Sequence, residues 1–416
     1  MKNKPILIGP FRQLLPMTGL SLRGPLSDDA FPVLKDGAVL CQDGRILAVG
    51  AFEFLRKANN IREEHIFYLE EPLVGLPGLI DAHTHICFGG SRASDYAARL
   101  AGKTYLEIAQ AGGGVWDTVQ KTRKASFEEL AVVTRQRARA LLEQGVTTAE
   151  VKSGYALNIE DELKMLRVIR EVDQTLVIDL IPTCLAAHIK AKDFDGSDRQ
   201  YLAHIATDLL PEVLRQKLAK RLDIFVEETA FSIEDAEWFL NRGKALGFNI
   251  TIHADQFSSG GSELAVKVGA HSADHLEASS EEDIERLARS EVSATVLPGA
   301  SLGLGLPFAP ARRLLDAGCS VAIASDWNPG SAPMGDLLTQ AALMGAYEKL
   351  TLPETLAGIT CRAAHALRLA DRGSLQTSYL ADFVAFPTTD YREIFYQQGR
   401  LKPKMAWKEG DDTVIF

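Results

Sequence analysis

The chain has 416 residues, 46% hydrophobic and 24% charged, which is typical of a globular protein with two or three domains or with one large barrel and an accessory domain. A chain this long buries a large core without disulfides, which excludes the disordered, collagen-like and disulfide-scaffold classes. Its 45 basic and 55 acidic residues give a formal net charge of −10, and no basic tract occurs, so we expect no nucleic-acid partner.

The cysteines and the apolar runs bear on the location of the protein. The five cysteines are widely spaced and form no CxxC motif, which is typical of reduced thiols in the cytoplasm. Prolines interrupt the first 16 residues, which lack the apolar stretch of a secretory signal. No run of 18 apolar residues occurs, so we expect a cytoplasmic protein without a membrane partner.

The middle of the chain alternates between short apolar runs and helical stretches. Apolar residues at i, i+3 and i+4 predict helices over 127–145, closing at Gly145, and over 159–174. Eight apolar runs that end in polar residues are predicted strands: 73–85, 147–155, 176–188, 223–228, 249–256, 272–277, 293–301 and 321–331. Strands that alternate with helices lie parallel, and eight such units predict an α/β fold, a (β/α)8 TIM barrel.

The two ends of the chain have a different pattern. Residues 37–50 contain two apolar runs around Asp43 and Gly44, which predicts a β-hairpin. Residues 373–387 have the alternating, β-branched character of strands. We therefore expect residues 1–72 and 373–416 to form one small β-sandwich domain beside the barrel of residues 73–372.

Polar residues stand where the predicted strands end, at the face on which a (β/α)8 barrel carries its active site. Five of the nine histidines are among them: His83, His85, His188, His253 and His275. Tyr155, Gln256 and Asp326 stand at the same strand ends. The remaining histidines are expected to be structural: His65, His204, His271 and His365.

Four of these residues predict a metal site. His83 and His85 are two residues apart, so both imidazoles point the same way from one strand end. His253 adds a third nitrogen and Asp326 an oxygen, a set that suits one Zn²⁺ or Fe²⁺ ion better than Mg²⁺ or Ca²⁺. Such a cation lowers the pKa of bound water from 15.7 to about 7 and so generates hydroxide. Lys152 is expected to have a structural role rather than to carry a metal-bridging carbamate.

Longer motifs surround these residues. In chain order they are DAHTH with ICFGGSRASDY, LAGKTYLEIAQAGGG, VKSGY, AAH, HADQ, SADHLE, LPGAS and SDWNPGS, with DGRILAVG and GSLQTSYLADFVAFP in the terminal segments. Together they resemble the imidazolonepropionase family of the amidohydrolase superfamily over nearly the whole chain. The HxH pair and the late aspartate are general to the superfamily, whereas FGGSR, the GGG loop, VKSGY and SDWNPGS are more specific to this family.

The resemblance implies hydrolysis of 4-imidazolone-5-propanoate to N-formimidoyl-L-glutamate in histidine degradation, one metal on the four ligands above, and a homodimer. It also implies substrate contacts from Arg92, Tyr155, His188, Gln256, Asn328, Gly330 and Ser331. The chain departs from the family pattern at Ala156, where a glycine is expected. It also carries Gln256 where some relatives have a glutamate that could shuttle a proton.

The expected substrate is a small ring amide with a carboxylate tail. Asp326 is the candidate proton acceptor and later donor, while His275 as a donor would stabilise the developing oxyanion. Either Gln256 or His275 assists the attacking water, and both alternatives stay open. Arg92 offers a planar fork that binds a carboxylate bidentately, which an acidic protein needs for an anionic tail.

Two other functions fit parts of the same pattern. A deaminase acting on a related nitrogen heterocycle would use the same fold, metal ligands and water, and it would differ by releasing ammonia. A non-catalytic assembly protein on this scaffold is expected to have lost ligands. The presence of all four ligands together favours an enzyme.

Overall fold

The structure is a computed structural model that describes residues 4–103, 107–108 and 111–415. Five residues of the LAGKTYLEIAQAGGG segment, and residues 1–3 and 416 of the predicted terminal domain, lie outside the described residues. In chain order the strands are β1 (Ile6–Leu14), β2 (Leu34–Gln42), β3 (Arg45–Ala51), β4 (Ile66–Tyr68), β5 (Val74–Pro77), β6 (Leu79–Asp81), β7 (Val146–Lys152), β8 (Asp179–Ala187), β9 (Arg221–Ile224), β10 (Asn249–Ala254), β11 (Ser272–His275), β12 (Ser293–Val296), β13 (Val321–Ile323), β14 (Phe383–Phe386), β15 (Met405–Lys408) and β16 (Asp411–Ile415).

The helices lie mostly between the strands of the central region. In chain order they are α1 (Phe52–Ala58), α2 (Ala93–Leu100), α3 (Val115–Lys124), α4 (Phe127–Leu142), α5 (Ile159–Thr175), α6 (Asp198–His204), α7 (Leu210–Arg215), α8 (Ile233–Leu246), α9 (Gly261–Val268), α10 (Glu281–Ala288), α11 (Pro298–Leu304), α12 (Ala311–Ala317), α13 (Leu337–Glu348), α14 (Leu352–Gly358), α15 (Cys361–Ala366) and α16 (Glu393–Tyr396). A short 3-10 helix covers Glu63–His65, and a π-helix over Ile205–Leu209 joins α6 to α7. Among these described helices, none has the length and apolar character that crossing a bilayer requires.

Strands β6 to β13 form the central sheet. Within the described residues they pair in chain order as eight strands, and every neighbouring pair is parallel. The first and last strands meet where a parallel bridge joins Thr84 to Trp327 and the Asp326 amide donates to the His83 carbonyl at 3.0 Å. The predicted (β/α)8 barrel is therefore confirmed.

Local sequence explains where the helices of the barrel begin and end. Ser126 starts α4 with a capping box, in which its side chain accepts from the Glu129 amide and the Glu129 side chain accepts from the Ser126 amide. The α4 helix ends at Leu142, so the predicted close at Gly145 was three residues late. Gly145 adopts φ +89° in the turn that leads into β7, a conformation that favours glycine.

Both chain ends contribute to the second sheet. Its strand order is β16-β15-β14-β5-β1-β2-β3, with β4 paired to β1, and its core is separate from that of the barrel. The predicted hairpin is confirmed as β2 and β3, which are joined through Asp43 and Gly44 at φ +50° and +80°. The rings of Phe383 and Trp407 stack at 4.7 Å in this core. The sheet is the predicted small domain.

The predicted strand over 73–85 is wrong as a single element. Its first part, β5, pairs with β1 and β14 in the terminal sheet, whereas β6 enters the barrel. Gly78 separates them, and its amide donates to the Asp382 carbonyl at 2.9 Å. A Cβ at Gly78 would lie 2.1 Å from Oγ1 of Thr147, so only glycine allows this close approach. The domain boundaries at 72/73 and 372/373 stay predictions, and β5 lies beyond the first of them.

Candidate active site

The carboxyl ends of the barrel strands carry the predicted ligands. His83 and His85 follow β6, and the bridge at Thr84 keeps this segment extended beside Trp327. His253 lies within β10. Asp326 follows β13 by three residues and adopts φ +51°. Because these strand ends meet at one mouth of the barrel, residues distant in the chain come together there.

The four predicted ligands form one buried cluster. The Nε2 atom of His85 lies 3.1 Å from Nε2 of His83 and 3.4 Å from Nε2 of His253. The Asp326 Oδ1 atom lies 3.5 Å from Nε2 of His83 and 3.4 Å from Nε2 of His85. Ligand atoms around a tetrahedral zinc with bonds near 2.1 Å are about 3.4 Å apart. The cluster therefore has the spacing of a single tetrahedral cation site.

Hydrogen bonding and burial determine which nitrogens carry lone pairs. Nδ1 of His83 lies 2.8 Å from Asp274, and Nδ1 of His253 lies 2.9 Å from Asp223, so each Nδ1 donates to a carboxylate. Burial lowers the pKa of His83 well below its usual value and that of His253 to about 4, which keeps both rings neutral. Their Nε2 lone pairs therefore face the centre of the cluster. A divalent cation would relieve this repulsion, so the residues fit zinc or iron.

Two further groups at the mouth have shifted pKa values. Burial raises the pKa of Asp326, but hydrogen bonding and attraction to His85 outweigh it and lower the pKa overall. Burial lowers the pKa of His275, but the Glu277 carboxylate outweighs burial and raises it overall. Nδ1 of His275 lies 3.5 Å from Oε2 of Glu277. The site thus holds an ionised carboxylate and a histidine that favours its protonated form.

His188 and Tyr155 flank the histidine cluster. The His188 ring lies 5.6 Å from that of His85 and 5.4 Å from that of Tyr155. Nδ1 of His188 donates to the Gly154 carbonyl at 3.1 Å, and burial lowers the pKa of His188 to about 3. The ring is therefore neutral, and its Nε2 atom is a hydrogen-bond acceptor.

A buried carboxylate supports the loop that carries Tyr155. Glu162 accepts from the amides of Gly154, Ala156 and Leu157 at 3.1, 2.9 and 2.9 Å. The left-handed residues of this loop are Gly154 and Leu157, at φ +101° and +58°. Ala156 is not among them, which explains why an alanine fits where the family pattern predicts glycine.

The loop after Asp326 meets Arg92. Asn328 Oδ1 accepts from the amides of Gly330 and Ser331 at 2.7 and 2.8 Å, and its Nδ2 donates to Ser331 Oγ at 2.9 Å. A Cβ at Gly330 would lie 2.4 Å from Nη1 of Arg92, so glycine leaves room for the guanidinium. Asp95 accepts from Nε of Arg92 at 2.8 Å and so orients the guanidinium. The structure brings these predicted substrate contacts together.

Gln256 lies three residues beyond His253, half-buried, in the loop after β10. Glu227 supports this loop, since its Oε1 accepts from the amides of Phe257 and Ser258 at 2.8 and 3.1 Å. The assisting role of Gln256 or His275, like the other individual site roles, stays a prediction.

Sequence reasoning gave no role to the acidic residues that contact the predicted site residues: Asp95, Asp223, Asp274 and Glu277. Three of them lie in segments whose histidines or neighbouring glutamates were singled out. The missed signal was an acidic residue inside or beside a fully buried strand, where a carboxylate needs a partner.

Comparison with known proteins agrees with this geometry. Residues 74–412 match the model of the amidohydrolase family. The chain is 40% identical to an imidazolonepropionase of Deinococcus deserti, over 91% of this chain and 92% of that protein. It is 38% identical to an imidazolonepropionase of Geobacillus kaustophilus, over 99% and 98%. These two relatives are similar over almost their entire length.

Among solved structures, an adenosine deaminase from Xanthomonas campestris with bound zinc superposes with a TM-score of 0.70. The alignment covers 99% of this chain and 93% of that one at 18% identity, which shows a shared fold only. The family model and the close relatives together decide the family. The chain belongs to the amidohydrolase family and, within it, to the imidazolonepropionases.

Proposed function

We propose that the protein hydrolyses 4-imidazolone-5-propanoate to N-formimidoyl-L-glutamate, a step of histidine degradation. The observation that carries the proposal is the cluster of three Nε2 atoms and one carboxylate oxygen at 3.1–3.5 Å, whose aspartate leads directly into the loop that meets Arg92. It supports a site in which a metal centre and a carboxylate-binding guanidinium act on one small substrate.

His83, His85, His253 and Asp326 would hold one zinc or iron ion. Bound there, the ion would lower the pKa of a coordinated water and supply hydroxide near neutral pH. The lowered pKa of Asp326 keeps its carboxylate ionised, so it can accept the proton of the attacking water and return it to the leaving ring nitrogen. His275 would donate to the developing oxyanion.

The remaining predicted contacts would orient the substrate. The acceptor Nε2 of His188 suits an N–H of the imidazolone ring, and Tyr155 and Ser331 would add neutral hydrogen bonds. Arg92 would bind the propanoate tail, with its guanidinium oriented by Asp95 and packed against Gly330. The homodimer and the cytoplasmic location belong to the same proposal as predictions.

A turnover assay with freshly generated imidazolone propanoate tests the reaction. The metal-loaded protein should remove the imidazolone absorbance and form formimidoyl-glutamate without stoichiometric ammonia. An inactive His85→Ala variant, assayed in parallel, measures the spontaneous decay of the substrate. Ammonia release would indicate a deaminase, and a rate equal to that of His85→Ala would refute the hydrolase.

The change Arg92→Ala tests the proposed recognition of the tail. We expect KM to rise roughly 10- to 150-fold with little change in kcat, since a hydrogen-bonded charge contributes about 1.5–3 kcal/mol to binding. Steady-state kinetics measures both constants. Arg313→Ala is the matched control, because Arg313 pairs with Glu281 on the surface. An unchanged KM in Arg92→Ala would contradict the role.

A further inference from the structure

A lysine lies among the acidic residues that contact the predicted metal ligands. Lys152 ends β7 and is fully buried, as are Glu150, Asp223 and Asp274 around it. Its Nζ atom lies 2.8 Å from Glu150 Oε2, 2.8 Å from Asp223 Oδ2 and 3.4 Å from Asp274 Oδ2. A buried ammonium needs such partners, because an unpaired charge in the core is costly.

Two of these carboxylates join the lysine to the histidines. Asp274 Oδ2, which contacts Lys152, also accepts from Nδ1 of His83 at 2.8 Å. Asp223 Oδ2, which contacts Lys152, also lies 2.9 Å from Nδ1 of His253. One ammonium therefore binds the same two oxygens that orient two of the three ligand imidazoles.

We propose that Lys152 is a positioning residue that, through Asp274 and Asp223, orients His83 and His253 for metal binding. Partners of this kind, which hold a ligand histidine in one tautomer and one orientation, raise metal affinity. Without the ammonium, the two aspartate oxygens lose a shared donor and the buried acidic side chains repel one another. The lysine thus sets both histidines together.

The rest of the cluster supports this role. Glu150 accepts from Arg221 Nε at 2.9 Å and from the Thr183 hydroxyl, which fixes the third carboxylate around the lysine. Burial lowers the pKa of Lys152, but Asp223 and Glu150 outweigh it and raise the pKa overall. The lysine is therefore an ammonium without the lone pair that carbamate formation requires.

The inference rests on the proposed metal-dependent function but not on the identity of the substrate. The test uses the full chain, freed of metal and titrated with Zn²⁺ against a chromophoric chelator. The variants are Lys152→Met and the double variant Glu150→Gln/Lys152→Met, which removes one acid and one base and so leaves the net charge of the cluster unchanged. Circular dichroism checks that each variant is folded.

The matched control is Lys408→Met/Asp382→Asn. Lys408 is also a buried lysine, with Nζ 2.6 Å from Asp382 Oδ2 and 2.9 Å from Asp179 Oδ2, but it belongs to the terminal sheet. We expect the folded Glu150→Gln/Lys152→Met protein to bind Zn²⁺ roughly 10- to 100-fold more weakly than wild type. Its cobalt-loaded form should show altered visible absorption bands. The control should match wild type in both measurements.

Wild-type zinc affinity and an unchanged cobalt spectrum in the folded double variant would overturn the inference. Equal weakening in the Lys408 control would also overturn it, because the effect would then belong to any lost buried lysine. If wild type itself binds no metal, the proposed function fails. If wild type binds metal as tightly as the folded double variant does, only the positioning role fails.

Discussion

Replacing Asp326 by alanine should abolish turnover and weaken metal binding together. Asp326 supplies the oxygen that lies 3.4–3.5 Å from two histidine nitrogens, and it is also the candidate proton carrier. Removing a general acid–base group alone costs roughly 10²–10⁴-fold in rate, and loss of a ligand adds to that cost. We therefore expect kcat to fall at least about 10³-fold. Steady-state kinetics and elemental analysis of the same preparation measure the two effects.

Asp326→Asn separates the two roles, because an amide oxygen still reaches the cluster but cannot accept the proton of water. We expect this variant to retain most of its metal and still lose roughly 10²–10⁴-fold in kcat. Asp316→Asn is the control, since that carboxylate pairs with Arg312 on the surface. Full activity in a metal-loaded Asp326→Asn protein would show that another group carries the proton.

Removal of the metal should abolish activity and lower stability. A chelator-treated, dialysed sample should lose turnover, and one equivalent of Zn²⁺ or of Fe²⁺ under anaerobic conditions should restore it. Metal at 100 times its dissociation constant would stabilise the fold by about 2.7 kcal/mol, so the thermal unfolding midpoint should rise on reloading. Comparing the restored kcat with each ion identifies the better cofactor.

Addition of Mg²⁺ serves as the control, because three imidazole nitrogens are poor ligands for this ion. Activity retained by a sample shown to be free of metal would defeat the mechanism. Restoration by Mg²⁺ as good as that by Zn²⁺ would show instead that the histidines are not the ligands.

The metal cluster could be predicted because each ligand ends or follows a buried strand. An apolar run that ends in HTH or HADQ marks a strand whose polar residues reach the mouth of the barrel. That rule is local and survives errors of a few residues in the strand boundaries. It brought His83, His85, His253 and Asp326 to one site without any knowledge of the distances between them.

The acidic partners of the histidines depend on strand register, which a local pattern does not contain. His253 and Asp274 are register partners on β10 and β11, yet Asp274 binds His83 and the partner of His253 is Asp223 on β9. The contact between Arg92 and Gly330 likewise joins two loops far apart in the chain. Such contacts require the closed barrel before they can be read.

The split at Gly78 was missed because β5 and β6 are both fully buried. Their residues are apolar on either side of the glycine, so hydrophobic periodicity continues although the chain changes sheets. Only the pairing of β5 with β14 and of β6 with β7 reveals the change.

The pairing of β5 with β14 also has a consequence for biosynthesis. Pro77 pairs with Phe383, so one edge of β5 stays unsatisfied on the ribosome until almost the entire polypeptide has emerged. An open edge of this kind invites association with other nascent chains. Because a single glycine joins β5 to the strand that precedes His83 and His85, translation must near its end before that pair of histidines is anchored from both sides.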